Sequence, residues 1–237
     1  MNPRHCVVLA GGLGTRIHVV THGEIPKVLV PVLGRPFLQH KLEGLQALGV
    51  TDVTILVGEL GHMVDKFLTD NPIPGLKCHL IHDGPELLGT AGAIARAMEY
   101  LPELFWVTYG DSHVVADLSA AEGLARKEKA EAIMVVFHNR DEIEASNTDV
   151  QGGYVVDYQK GVPPGTFEWI DYGLLFLPKS SFNTIPTGSK EDLYTVLSHL
   201  ISRGRVIAFE ATERFWDVGT PEALHDTEIE FRRRRGV

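Results

Sequence analysis

Cys6-Val7-Val8-Leu9-Ala10 runs straight into Gly11-Gly12-Leu13-Gly14-Thr15-Arg16, and that junction decides the fold. A short apolar run with valines favours a buried strand, and glycines directly after it break the strand and let the chain turn closely. Downstream, Pro36 opens a stretch with Leu38, Leu42, Leu45 and Leu48 on one helical face, which Gly49 stops. The alternation then repeats. Val53–Val57 reads as a buried strand, His62–Leu68 as a short helix and Leu76–Ile81 as a strand. Ala91–Leu101 reads as a helix with Ile94, Met98 and Leu101 aligned, Phe105–Tyr109 as a strand, Leu118–Lys127 as a helix and Ile133–Phe137 as a strand. Such a βα rhythm predicts an α/β chain with a mostly parallel central sheet covered by helices on both faces.

The rhythm changes after about His138. Val150 and Tyr154–Tyr158 flank Gly152-Gly153 as a hairpin, and Tyr172–Leu177 is a further strand ended by Pro178. This predicts a small antiparallel lobe. Asp192–Ser202 then reads as a helix stopped by Gly204, and Arg205–Phe209 as extended. A last helix, 221–235, is capped by Thr220 and opened by Pro221, with Arg232–Arg235 at the end that favours cations. With no repeat or linker, 1–237 is expected to be one domain, about 1–140 and about 141–210 forming its two parts before the terminal helix.

The composition allows this. Hydrophobic residues are 44% and charged residues 22% of 237, enough apolar material for a core and no case for disorder. A formal net charge of −9 argues against a general nucleic-acid or anionic-membrane surface, but not against one specific anion site. Cys6 and Cys78 sit in or beside apolar runs without CxxC spacing, so buried free thiols are expected. No apolar stretch approaches the ~20 residues that span a bilayer. MNPRH leads into a strand without a secretory cleavage site, so the cytoplasm is the expected location.

Four segments carry chemistry. In Leu9-Ala10-Gly11-Gly12-Leu13-Gly14-Thr15-Arg16, followed by Pro26-Lys27, glycines let backbone N–H groups approach a phosphate while Arg16 and Lys27 add positive charge. GxxxxGK[ST] is absent, and Ile17 stands where a dinucleotide fingerprint wants glycine. An ordinary glycine turn reads the same in isolation. Tyr109-Gly110-Asp111-Ser112 places an acid at the C-terminal end of a central strand, where open α/β sheets bind ligands; a turn-capping aspartate is the plainer alternative. In Phe215-Trp216-Asp217-Val218-Gly219-Thr220 an acid lies among bulky apolar residues and should have a cation partner, Arg214 being one candidate. The fourth is Tyr158-Gln159-Lys160 with Trp169-Ile170-Asp171-Tyr172-Gly173.

LAGGLGTR with PKVLVPVLGRPFLQH resembles the N-terminal signature of the sugar-1-phosphate nucleotidylyltransferases, over nearly the whole chain. Ile17–Ile25, Leu88-Gly89-Thr90-Ala91-Gly92-Ala93 and Trp216–Pro221 look most like the heptose-1-phosphate guanylyltransferase branch. The resemblance implies a nucleotide-diphospho-sugar transferase fold and transfer from a nucleoside triphosphate, with GTP the first choice, to a sugar 1-phosphate. It implies Arg16 and Lys27 as the catalytic cations, and Leu9, Ala10, Gly11, Gly12, Gly14, Thr15, Gly89 and Thr90 on the nucleotide. It implies Mg²⁺ on Asp111 and Asp217, and Gly110, Gln159, Lys160, Asp171 and Gly173 on the sugar phosphate. Two positions depart from the family: Gln159 stands where Glu is common, and Asp171 where Asn is common. They point to an unusual sugar or cyclitol phosphate. Base choice is expected to rest on residues 82–90, with uridylyl, thymidylyl and cytidylyl transfer as alternatives.

A sugar 1-phosphate is already an anionic nucleophile, so the reaction asks for charge stabilisation and not for a general base. The lack of a serine–histidine–acid set among 11 histidines accords with that. Two other classes stay open: a non-catalytic nucleotide-sugar sensor, and a glycosyltransferase of related fold, whose Asp-x-Asp motif would need an acid at His113. From the length, the nucleotidylyltransferase core and one terminal helix are expected, with no appended acyltransferase or β-helix domain. The basic-ended terminal helix is a candidate contact surface for a homo-oligomer.

Overall fold

The computed structural model describes residues 3–84 and 86–236; Met1 and Asn2 of the N-terminal reading and Pro85 of the 82–90 stretch lie outside them. β1 (Arg4–Ala10) ends at the first glycine, and a short helix α1 (His18–Thr21) follows. β2 (Pro31–Val32) and β3 (Arg35–Pro36) form a tiny hairpin turned by Leu33 and Gly34, both at positive φ, 50° and 76°. With two residues per strand it has no alternation to read in sequence. α2 (Phe37–Ala47) buries Leu38, Leu42 and Leu45 as its spacing requires, and Gly49, at φ 84°, follows its last turn.

β4 (Val50–Val57), α3 (Gly61–Asp70) and β5 (Lys77–His82) follow the predicted rhythm. α4 (Gly89–Arg96) is shorter than the expected Ala91–Leu101: the chain tightens to a 3₁₀ turn over Met98–Tyr100, and Pro102 holds Leu101 extended at ψ 141°. β6 (Leu104–Tyr109), β7 (Ser112–His113), α5 (Leu118–Glu128) and β8 (Ala132–His138) come next, the Asp117 side chain capping α5 by accepting from Ala120 N–H. β9 (Thr148–Gln151) and β10 (Tyr154–Tyr158) are joined by Gly152 and Gly153 at φ 60° and 84°, the left-handed pair that a two-residue hairpin turn requires. β11 (Trp169–Pro178), α6 (Leu193–Ser202), β12 (Val206–Glu210), β13 (Trp216–Asp217) and α7 (Pro221–Arg235) complete the chain. Thr220 caps α7 through Ala223 N–H with Pro221 in the first turn, as expected.

The architecture is α/β with a mixed sheet, in two compact units interleaved along the chain. One comprises Met1–Leu87, Thr108–Val114 and Phe215–Val237; the other comprises Leu88–Val107 and Val115–Arg214. In the first, β5, β4 and β1 are neighbours and wholly parallel, with Val8 opposite Ile55 and Ile55 opposite Leu80. Val32, Phe37, Val218 and Phe231 form a buried cluster beside them. In the second, β11-β8-β12-β10-β9 are neighbours in that order, β12 and β8 pairing parallel and β11–β8, β12–β10 and β10–β9 antiparallel. Antiparallel pairing thus reaches β8, further than the lobe predicted after His138. Cys6 is fully buried, which pushes its thiol up to about 12, whereas Cys78 is only half-buried; both are free thiols. Among the described residues no helix is long and apolar enough to cross a membrane.

Candidate active site

The glycine loop leaves β1 against the backbone after β4. A side chain at Gly11 would meet Asp83 Oδ2 at 3.3 Å and Gly58 N at 3.4 Å, and one at Gly58 would meet Gly11 O at 2.8 Å. Gly14 adopts φ 63°, which glycine tolerates without strain, and its carbonyl accepts from Ile17 N–H. Gly12 differs. A Cβ there would meet nothing within 4 Å, so packing inside the protein does not demand a glycine at this position. Gly11, Gly12, Leu13, Pro26, Lys27 and Glu59 line one cleft, and Leu13 is 64% exposed at it.

Asp111 and Asp217 are joined by backbone. β7 and β13 pair antiparallel, with Asp217 opposite Ser112, and Val218 N–H donates to Asp111 O at 3.0 Å. Gly110 is pressed on the end of β1: its N–H donates to Leu9 O at 2.8 Å, and a Cβ would collide with Leu9 O and Val28 Cγ1. The side chains converge on Gly219. A Cβ on that glycine would lie 2.8 Å from Asp217 Oδ1, 3.3 Å from Arg16 Nη2 and 3.6 Å from Asp111 Oδ2. Lys27 Nζ donates to Asp111 Oδ2 and pairs with it. Three residues predicted from three distant segments therefore surround one small space that only glycine leaves open, and a fourth, Lys27, contacts one of them.

Their carboxyls are pushed in opposite directions. Burial pushes the Asp111 carboxyl up, but Lys27 in direct contact, with Lys41 nearby, outweighs this and holds it below the usual carboxylate range. Burial and the Asp111 carboxylate push Asp217 up, against the pull of Gly219 N–H, Arg16 and Lys27. Asp217 accepts from Gly219 N–H at 2.7 Å and feels the two cations through space, so the cation expected beside it arrives as a field; the direct pair belongs to Asp111. Among the described residues no group of three or more His, Cys, Asp or Glu is arranged for a metal. Two carboxylates with hard oxygen donors suit a cation that keeps most of its shell as water and phosphate oxygen, as Mg²⁺ does.

The remaining candidates belong to the second unit. Lys160 Nζ pairs with Asp192 Oδ1 at 3.1 Å, and that oxygen also caps α6 through Tyr194 N–H. Gln159 Nε2 donates to Asp157 Oδ2 at 2.6 Å. Asp171 is buried. Its Oδ1 accepts from Gly173 N–H at 2.9 Å and its Oδ2 lies 3.4 Å from the Tyr158 hydroxyl; burial pushes its carboxyl up to about 6. Gly89 and Thr90 meet the 189–193 segment: Ala91 and Gly92 N–H groups both donate to Glu191 O, and Thr90 Oγ1 accepts from Leu193 N–H at 2.7 Å. The Leu88–Ala93 motif thus also locks α4 to the start of α6. Sequence reasoning quoted Gly219 in its third segment without giving it a role, and missed Lys41 and Thr227, described below; of these two only Lys41 left a signal, a lysine on the apolar face of Leu38, Leu42 and Leu45.

A family model described as the MobA-like NTP transferase domain matches residues 6–204. The chain belongs to that family. Within it, this NTP transferase stands among sugar-1-phosphate nucleotidyltransferases. It is 26% identical over 218 residues to D-glycero-alpha-D-manno-heptose 1-phosphate guanylyltransferase of Campylobacter jejuni, covering 91% of this chain and 95% of that protein. It is 27% identical to UTP--glucose-1-phosphate uridylyltransferase of Synechocystis, where it covers 79% of this chain but only 52% of that protein. Among solved structures, HddC from Yersinia pseudotuberculosis complexed with GMP-PN superposes with a TM-score of 0.79 and 28% identity, over 96% of this chain and 99% of that one.

Proposed function

We propose that this NTP transferase is a Mg²⁺-dependent sugar-1-phosphate nucleotidylyltransferase, with GTP and a heptose-like or other unusual sugar 1-phosphate as substrates. The observation that carries the reading is the convergence of Arg16, Asp111 and Asp217 on Gly219, with Lys27 on Asp111, beside a loop whose Gly12 has no packing partner. The likeness to a heptose 1-phosphate guanylyltransferase along nearly its full length supports the choice of guanine.

In this reaction a phosphate oxygen of the sugar 1-phosphate attacks the α-phosphorus, and the bond to the departing pyrophosphate breaks. The nucleophile needs no base. Arg16 and Lys27 offset repulsion between two polyanions and the charge growing on the triphosphate, while loop N–H groups orient it. Asp111 and Asp217 would hold Mg²⁺, which supplies further neutralisation of the reacting phosphates. Lys160 is assigned to the sugar phosphate, with Gln159, Asp171, Gly173 and Gly110 on the sugar side. Gly89 and Thr90 are assigned to the base side of the nucleotide, with Leu9, Ala10, Gly11, Gly12, Gly14 and Thr15 around it.

Pyrophosphate release across a matrix of four nucleoside triphosphates and several sugar 1-phosphates, with Mg²⁺, tests this. The expected result is turnover with GTP and a heptose 1-phosphate. Turnover with UTP, dTTP or CTP alone overturns the base assignment, and binding without pyrophosphate release anywhere in the matrix overturns the enzyme reading in favour of a sensor. Asp111→Ala and Asp217→Ala are each expected to stay folded and lose turnover by orders of magnitude; normal turnover in either removes that residue from the metal site.

A further inference from the structure

The two carboxylates sit on backbone that two helices grip with fully buried polar side chains. From α2, Lys41 reaches inward with 1% of its surface exposed, donating from Nζ to Ser112 O at 2.5 Å and to Thr108 Oγ1 at 3.0 Å. Those acceptors flank Asp111 on either side. From α7, the wholly buried Thr227 donates from Oγ1 to the carbonyl of Asp217 itself at 2.7 Å. Lys41 thus holds the carbonyl that follows Asp111, and Thr227 holds the carbonyl of Asp217.

We propose that Lys41 and Thr227 are positioning residues that set the placement of the Asp111 and Asp217 carboxylates for a divalent cation, an inference that rests on reading that pair as the metal site. A stabilising role alone explains Lys41 poorly. Sealing an ammonium among the leucines of α2 costs desolvation that a methionine of similar length avoids, and burial pulls this lysine down to about 8. What the lysine adds over methionine is a directed hydrogen bond to the carbonyl next to Asp111 and a second to the Thr108 hydroxyl on the strand that leads into it. Thr227 adds one to the residue that carries the second carboxylate. Small displacements of ligand groups weaken a metal site steeply, because each carboxylate must keep its distance and angle while the backbone around it would otherwise breathe.

The test uses the full chain with Mn²⁺ alone as the probe, its binding followed by water-proton relaxation, beside thermal unfolding in metal-free buffer and the half-saturating Mg²⁺ concentration for turnover. Lys41→Met and Thr227→Val are each expected to weaken Mn²⁺ binding and raise half-saturating Mg²⁺ about tenfold, while Thr227→Ser, which keeps the hydroxyl, stays within about twofold of the parent. Asp111→Asn is the reference for the site itself. Parental Mn²⁺ affinity in Lys41→Met and Thr227→Val, with Asp111→Asn impaired, overturns the positioning role alone. Parental affinity in Asp111→Asn overturns the metal reading beneath it. Should Lys41→Met not fold, the contrast between Thr227→Val and Thr227→Ser decides.

Discussion

Asp171→Asn is expected to stabilise the protein at neutral pH while impairing its use of substrate. The folded state holds this carboxyl at about 6, above its ordinary 3.8, because burial removes water from the charged form faster than Gly173 N–H, the Tyr158 hydroxyl and Lys160 can replace it. A carboxyl raised on folding binds more protons in the folded than in the unfolded chain between those two values. Its contribution is therefore most favourable below about pH 4 and is lost as pH rises through 6. Two units correspond to about 3 kcal/mol. An amide removes the charge, keeps an acceptor for Gly173 N–H and offers a donor to Tyr158 Oη. At about 2–4 °C per kcal/mol for a chain of this size, the variant should melt about 6–12 °C above the parent at pH 8, with the gap closing towards pH 4. Differential scanning fluorimetry from pH 4 to 8 reads this. A difference that does not change with pH, or a variant that melts lower at pH 8, refutes the reasoning. If the Asp171 carboxylate accepts from a substrate hydroxyl, KM for the sugar phosphate rises in the same variant, an exchange of stability for function.

Other outcomes follow from the geometry. Gly12→Ala should leave the melting temperature unchanged, since its Cβ meets nothing, yet raise KM for the nucleotide; Gly92→Ala, whose Cβ would collide with Ser189 O, should lose about 1–3 kcal/mol in urea unfolding. Thr90→Val leaves Leu193 N–H without its acceptor and should cost about 1–2 kcal/mol, so any change in base preference must be measured well below its lowered melting temperature. Arg16→Ala should reduce kcat/KM without destabilising the fold, because its guanidinium is aimed at the space around Gly219 and not into the core; unchanged kcat/KM removes it from the site.

Much of the fold was legible because its signals are local. Apolar periodicity located α2 and α6, glycines located their ends, and Gly152-Gly153 located the hairpin, since each depends only on neighbours within a few residues. The early end of α4 was legible in principle from Pro102. The β2–β3 hairpin and the β7–β13 pair were not, because two residues carry no period. The antiparallel reach of β11 onto β8 was likewise hidden, since a buried strand is apolar on both faces whichever direction its neighbour runs.

The sequence by itself determined the alternation of strands and helices, the glycine loop and, by family resemblance, the names of four charged residues. Tertiary structure alone decided that Arg16, Asp111 and Asp217 face one space at Gly219, that Lys27 is in direct contact with Asp111, and that Lys41 and Thr227 hold the backbone beneath. The physical reason is range. Propensity, capping and turn preferences act along the chain, whereas charge pairing and the desolvation of a buried lysine depend on what folding places beside it.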